Sequence, residues 1–166
     1  MSESSNKTSE PAANKANGKL KSSSDEPPAP GAMVQEYKFT VIETHLDMFG
    51  HMNNAVYLQV FEEARWALTT ERGYGLAEIM KRKQGPTILE IELSFKKELK
   101  NRTDVTIKTW CRDYIGKVGH LIQTMENANG EECTRAVMAF GLFDLESRRL
   151  IDGTPEWRRA IGLSQR

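Results

Sequence analysis

A chain of 166 residues has room for one domain and a tail. Its 23 Lys and Arg balance 23 Asp and Glu, which argues against a general electrostatic grip on nucleic acid. No apolar run approaches the ~20 residues of a membrane helix, and the start of the chain lacks the charged and apolar segments of a secretory signal, so the expected location is the cytoplasm.

Residues 1–33 are dominated by Ser, Asn, Lys, Glu, Ala and Pro and hold no aromatic residue, Val or Ile. Such a stretch cannot bury enough apolar area to offset the entropy of ordering it, so a disordered tail is expected there and a folded domain over 34–166. In "EYKFTVIE" (36–43), Tyr37, Phe39 and Val41 alternate with polar neighbours, which predicts a half-buried strand. A turn follows, then a helix over about 54–72 with the apolar stripe Tyr57, Phe61, Ala64 and Leu68, widened by Val56, Val60 and Ala67. So broad a stripe suggests a helix wrapped by a sheet. "LAEIMKRKQ" (76–84) reads as a short second helix closed by Gly85-Pro86.

Beyond it the apolar period changes to two. "TILEIELSFKKEL" alternates Ile91, Leu93 and Phe95, and "DVTIKTWCRDY" alternates Val105, Ile107, Thr109 and Cys111. "GHLIQTMEN" and "CTRAVMAFGLFDL" continue the series, joined by the Asn/Gly turn "NANGEE" at 127–132. The order is strand, helix, then about four antiparallel strands. This predicts an α+β fold with one long helix against a meandering sheet. The two cysteines, Cys111 and Cys133, each lie in an apolar stretch and read as small buried hydrophobes.

The turn before the long helix, "HLDMFGHMNN" (45–54), concentrates polar chemistry in ten residues. Asn53 or Asn54 can cap the helix, but capping alone leaves Asp47 and His51 unexplained. A helix N-terminus offers free amides and partial positive charge, suited to a developing oxyanion. A nearby carboxylate can attack an activated carbonyl or deprotonate a water that does so. The turn therefore suits acyl transfer. Three His with no H-E-x-x-H or Cys/His cluster make metal chemistry a weak reading. A serine hydrolase would need a G-x-S-x-G elbow, which is missing, and no glycine-rich phosphate loop is present.

The stretch "LDMFGHMNNAVYLQVFEEAR" resembles the signature of the hotdog-fold 4-hydroxybenzoyl-CoA thioesterase family, D-x-x-G-H-x-N-N-x-x-Y-x-x-x-F-E-x-A-R, and matches it from Asp47 to Arg65. It looks closest to the long-chain acyl-CoA thioesterase-like branch. The resemblance implies an antiparallel sheet wrapped around one helix, two subunits pairing sheets edge to edge, and a substrate tunnel at their interface. It implies an acyl-CoA substrate, with Asp47 as nucleophile or general base. Asn54 stands where some relatives carry His or Tyr, beside the amide that polarises the thioester, and His51 would orient the carboxylate or carbonyl. Asn53 and Tyr57 would line the substrate site, Tyr57 as a core or tunnel-wall residue. Glu62 and Arg65 would face the dimer centre, as a surface pair or a buried network.

A CoA thioesterase needs cations for the phosphates of its substrate. Lys96, Lys97, Lys100 and Arg102 form one candidate cluster, and Arg112 with Lys117 another. No cofactor or metal is called for, since hydrolysis needs water and a polarised carbonyl. The partners expected are the acyl-CoA and a second copy of the chain, as a homodimer or a dimer-based homotetramer, with neither nucleic acid nor membrane insertion. The rival readings are an acyl-ACP thioesterase or hydroxyacyl dehydratase on the same scaffold, and a non-catalytic acyl-CoA-binding module.

Overall fold

Strand β1 (Gln35–Thr40) opens the folded part of the chain in a computed structural model that describes residues 26–163; most of the N-terminal segment expected to be a disordered tail therefore lies outside the described residues. A 3-10 turn (Glu43–His45) leads to α1 (Asn54–Glu71) and then to the short helix α2 (Leu76–Arg82). Four long strands follow: β2 (Gln84–Phe95), β3 (Asp104–Ile115), β4 (Val118–Asn127) and β5 (Glu132–Asp144). A short β6 (Arg149–Ile151) and the helix α3 (Pro155–Ala160) close the described chain.

The strands form one antiparallel sheet in the order β1-β3-β4-β5-β2, with β6 paired to β5. Helix α1 lies on one face of it, which is the helix-on-sheet arrangement the periodicity predicts and the hotdog fold the resemblance implies. Its stripe of Tyr57, Val60, Phe61 and Ala64 is buried against Ile107, Leu121, Met125, Ala136, Met138 and other sheet residues, and Leu68, one turn on, is buried as well. Each large apolar side chain fully buried there contributes about 1.5–3 kcal/mol by removal from water. Val105, Ile107, Thr109 and Cys111 are all buried, as their alternation requires. Both cysteines are buried free thiols, and burial pushes Cys111 up to about 12.

Three boundaries differ from the sequence reading. Strand β1 stops at Thr40, because the His45 ring accepts the Ile42 N–H in the 3-10 turn that follows. Helix α2 stops at Arg82, where Lys83 takes the left-handed conformation, and Gly85-Pro86 does not close it. Those two residues lie inside β2, paired with Phe143 and Leu142. Proline is tolerated there because β2 is an edge strand and needs no donor on its open side. The third concerns the β2 alternation: Ile91 and Phe95 are 40% and 49% exposed, since nothing among the described residues covers that edge. Strand β6 and helix α3 were not anticipated.

Candidate active site

Asp47 sits in a turn that bonds to itself. Its N–H donates to the His51 carbonyl at 2.8 Å, and its carbonyl accepts the Gly50 N–H at 3.1 Å. Gly50 has a φ of +76°, a region costly for any residue with a Cβ, which lets the chain double back. The carboxylate oxygen Oδ1 accepts two main-chain amides, from Phe49 at 2.8 Å and from His51 at 3.3 Å. One oxygen is thus held by the turn, and Oδ2 is left for other work.

The turn docks on the chain that follows β2. The Met52 N–H donates to the Leu99 carbonyl at 2.8 Å, and His51 makes an isolated bridge with Lys100. The His51 ring reaches the same segment, its Nε2 lying 3.1 Å from Glu98 Oε2. Asn53 is the N-cap of α1, with its side-chain oxygen accepting the Ala55 N–H at 2.9 Å and its carbonyl accepting the Val56 N–H at 2.9 Å. The Asn54 N–H, first in the helix, finds no acceptor among the described residues. The capping function therefore falls to Asn53, while Asn54 keeps a free amide at the positive end of an 18-residue helix.

Asp47, His51, Asn54 and Tyr57 line one open cavity of about 270 Å³, together with Phe95, Lys96 and Glu98. Tyr57 is buried, stacks edge-on against Phe95 at 5.0 Å, and has its phenol pushed above its ordinary value by desolvation. It is a wall, and a poor proton donor or acceptor near neutrality. Lys96 stands at the rim, its Nζ 2.6 Å from Glu132. Arg102 lies outside the cavity, exposed and 2.5 Å from Glu43. Lys117 leads into β4 at the opposite end of the sheet, about 26 Å along the strands from the end that holds Phe95. Sequence reasoning missed Glu98 and Phe95 as cavity residues, since their contacts with Asp47's turn and Tyr57 come from pairing that no local pattern encodes.

Glu62 and Arg65 border one cavity but hydrogen-bond to different partners. The Arg65 Nη1 donates to Gln123 Oε1 at 2.8 Å, and Gln123 Nε2 donates to the Phe61 carbonyl and to Thr109 Oγ1, each at 3.0 Å. Burial pulls the Arg65 guanidinium below its ordinary value. Glu62 stays exposed and accepts from Trp66 Nε1 at 3.3 Å. Arg65 also borders a second, smaller cavity of about 110 Å³ with Leu68, Ile88, Phe140 and Trp157, farther down α1.

Comparison with known proteins bears on the family and the fold. A family model described as "Thioesterase-like superfamily" matches residues 43–161. The curated protein named long-chain acyl-CoA thioesterase FadM, from Escherichia coli strain K12, is 26% identical over 118 residues, covering 70% of this chain and 89% of its own. A Staphylococcus aureus protein solved in complex with CoA superposes with a TM-score of 0.74 at 19% identity, over 81% of this chain and 88% of that one. A DHNA-CoA thioesterase from the same species gives 0.68 at 19% identity, over 76% and 87%. At such identities the two structures establish the shared fold alone.

Proposed function

The chain belongs to the thioesterase-like superfamily, and from that premise we propose that it is an acyl-CoA thioesterase, hydrolysing the thioester to a free acid and CoA. The observation that carries this reading is that the Asp47 carboxylate and the unpaired Asn54 N–H stand on one cavity. The name of the Escherichia coli relative and the CoA bound in the Staphylococcus aureus structure support the choice of carrier.

In the reaction the carbonyl carbon gains an oxygen and loses sulfur, and the departing thiolate takes a proton. Oδ2 of Asp47 either attacks that carbon, giving an anhydride that water opens, or takes the proton of a water that attacks. Both routes put negative charge on the carbonyl oxygen, and both need a donor there. The Asn54 amide supplies it, aided by the helix N-terminus. His51 positions the carboxylate, Asn53 sets the helix start, and Tyr57 with Phe95 forms the wall beside the acyl group. Lys96 contacts a CoA phosphate at the rim. Arg102 and Lys117 reach the same CoA only where a partner subunit brings them to it.

The acyl chain runs along α1 toward the cavity beside Arg65 and Trp157, which begins about 12 Å from Asn54 at 1.5 Å of rise per residue. Two subunits meet through β2, whose open edge and exposed apolar side chains adjoin both cavities. No helix among the described residues is long and apolar enough to cross a membrane, and a cytoplasmic location suits a hydrolase of CoA esters.

The test is release of thiol from a panel of aliphatic and aromatic acyl-CoAs, with acyl-ACP as a second carrier. Wild type turns over at least one acyl-CoA, and Asp47→Asn loses on the order of 10³-fold in kcat or more with its circular dichroism unchanged. Failure of every acyl-CoA, or a wild-type rate in Asp47→Asn, overturns the proposal. A preference for acyl-ACP would reassign the carrier.

A further inference from the structure

Glu98, on the chain just beyond β2, is the second carboxylate on the Asp47 cavity, and nothing in the hydrolysis above uses it. We propose that Glu98 is a positioning residue: it holds the His51 ring by Nε2 and thereby leaves Nδ1 as the ring's proton acceptor in the cavity. The kinetic consequence rests on the thioesterase reading; the state of the ring does not.

The geometry is specific. Glu98 Oε2 lies 3.1 Å from His51 Nε2, and an ionised carboxylate can only accept, so Nε2 carries the proton. A neutral imidazole with hydrogen on Nε2 has a bare Nδ1. No side chain among the described residues bonds to that atom. The other cations nearby are engaged elsewhere or farther off. Lys97 bonds Glu131, Lys96 bonds Glu132, and Lys100 Nζ stands 4.0 Å from the same Glu98 oxygen.

His51 is also bound to the carboxylate at its back. Its main-chain N–H donates to Asp47 Oδ1 and its carbonyl accepts the Asp47 N–H. A ring steered by Glu98 therefore has a fixed relation to the Asp47 turn. A water between two acceptors, Asp47 Oδ2 and His51 Nδ1, has both hydrogens engaged and a lone pair left for the carbonyl carbon. Glu98 decides whether the ring offers that second acceptor.

An ordinary surface ion pair makes a different forecast. Glu98 is 61% exposed, and a pair at that exposure adds little to stability. Losing it as a mere ion pair would leave kcat alone. Losing it as a ring-setting group lowers kcat with no change in melting.

Two measurements on the full chain decide the matter. Nitrogen-15 NMR of the histidine rings should show His51 as the single Nε2–H form in wild type and as mixed forms in Glu98→Ala, with Glu98→Gln nearer wild type because its amide oxygen still accepts. With the acyl-CoA that wild type hydrolyses fastest, Glu98→Ala should lower kcat about tenfold and leave KM within about twofold. Glu98→Gln should recover much of that loss, and Glu98→Ala added to His51→Ala should lower kcat no further. An unchanged His51 spectrum in Glu98→Ala overturns the proposal, as does an equal loss of kcat in both backgrounds. Absence of any wild-type turnover would defeat the thioesterase reading instead, and the NMR comparison would still judge Glu98.

Discussion

Asn54 carries two groups whose roles separate by substitution. Its side chain caps nothing, because Asn53 performs that function, so Asn54→Ala tests the amide side chain alone. Its N–H is the proposed oxyanion donor, and proline removes that hydrogen without disturbing the helix. Position N1 accepts proline, and Asn53 already has the extended backbone, φ −65° and ψ 140°, that a residue before proline prefers. We expect Asn54→Pro to lower kcat by about 10²–10³-fold, the loss of roughly 2.7–4 kcal/mol typical of one oxyanion donor. Asn54→Ala should lose less than about tenfold. A differential melt that stays unchanged while kcat collapses in the proline variant confirms the backbone role; equal kcat in both refutes it. Cys111 gives a pH test at the same scale. Burial, reinforced by the nearby Asp113 charge, raises its thiol from 9.0 to about 12, so the folded protein favours the protonated form more than the unfolded chain does. That contribution to stability is complete below pH 9.0 and is lost as pH rises toward about 12. Urea midpoints of Cys111→Ala should therefore fall less steeply above pH 9.0 than those of wild type, once its lower starting stability is subtracted.

At the scale of elements, α1 is joined to the middle of the sheet by one side chain of β4. Gln123 is fully buried, gives its amide hydrogens to the Phe61 carbonyl and Thr109, and takes the Arg65 guanidinium on its oxygen. Gln123→Leu keeps the volume and strips Arg65 of its amide acceptor, leaving the Met138 sulfur at 3.1 Å and the charge of Glu62 one turn away. A half-buried charge deprived of its acceptor should cost about 2–4 kcal/mol in urea unfolding; a loss under about 0.5 kcal/mol, within the range of ordinary surface substitutions, would mean Arg65 re-solvates freely. Legibility in the sequence also divides by element. Helix α1 could be read because its 18 residues hold enough apolar positions to show a period, and the β3-β4-β5 part of the meander could be read from its apolar strands and tight turns. Strand β2, which pairs with β5 at the far edge and not with β3, could not, because no local pattern encodes a crossover. Helix α3 has six residues, too few for a period, although Thr154-Pro155 carries its start signal and Thr154 does cap it, accepting the Trp157 N–H at 3.2 Å. Asp47, His51 and Asn54 were legible as a group because one turn brings them together from adjacent sequence. Glu98 was not, since it joins them through an isolated bridge 49 residues along, His51 to Lys100. Charge runs such as Lys96 to Arg102 announce exposure but do not say which side of the strand end each cation occupies.

The whole molecule has one feature that a single chain leaves unresolved. The sheet ends in β1 on one side and β2 on the other, and β2 is twelve residues long with its outer edge unpaired among the described residues. Ile91, Leu89 and Phe95 are 40%, 48% and 49% exposed along it, and Leu58 and Trp66 of α1 lie exposed as well. A long apolar edge of this kind templates uncontrolled pairing unless something covers it. Phe95 also walls the Asp47 cavity and Ile88 the cavity beside Arg65, so whatever covers the edge closes both. We propose that a second copy covers it: pairing β2 to β2 about a two-fold axis would satisfy the free main-chain groups and the apolar side chains together. Sedimentation should then give a species of twice 18.8 kDa. Ile91→Lys, which places a charge on that face without touching Asp47's turn, should shift the protein toward monomer and lower kcat per chain, with activity returning as concentration rises. The concentration dependence matters because a folding defect would not be reversed by adding more protein. Wild type that sediments as a monomer while hydrolysing acyl-CoA at full rate would show that one chain closes its own cavities, and β2 would need another explanation for its apolar edge.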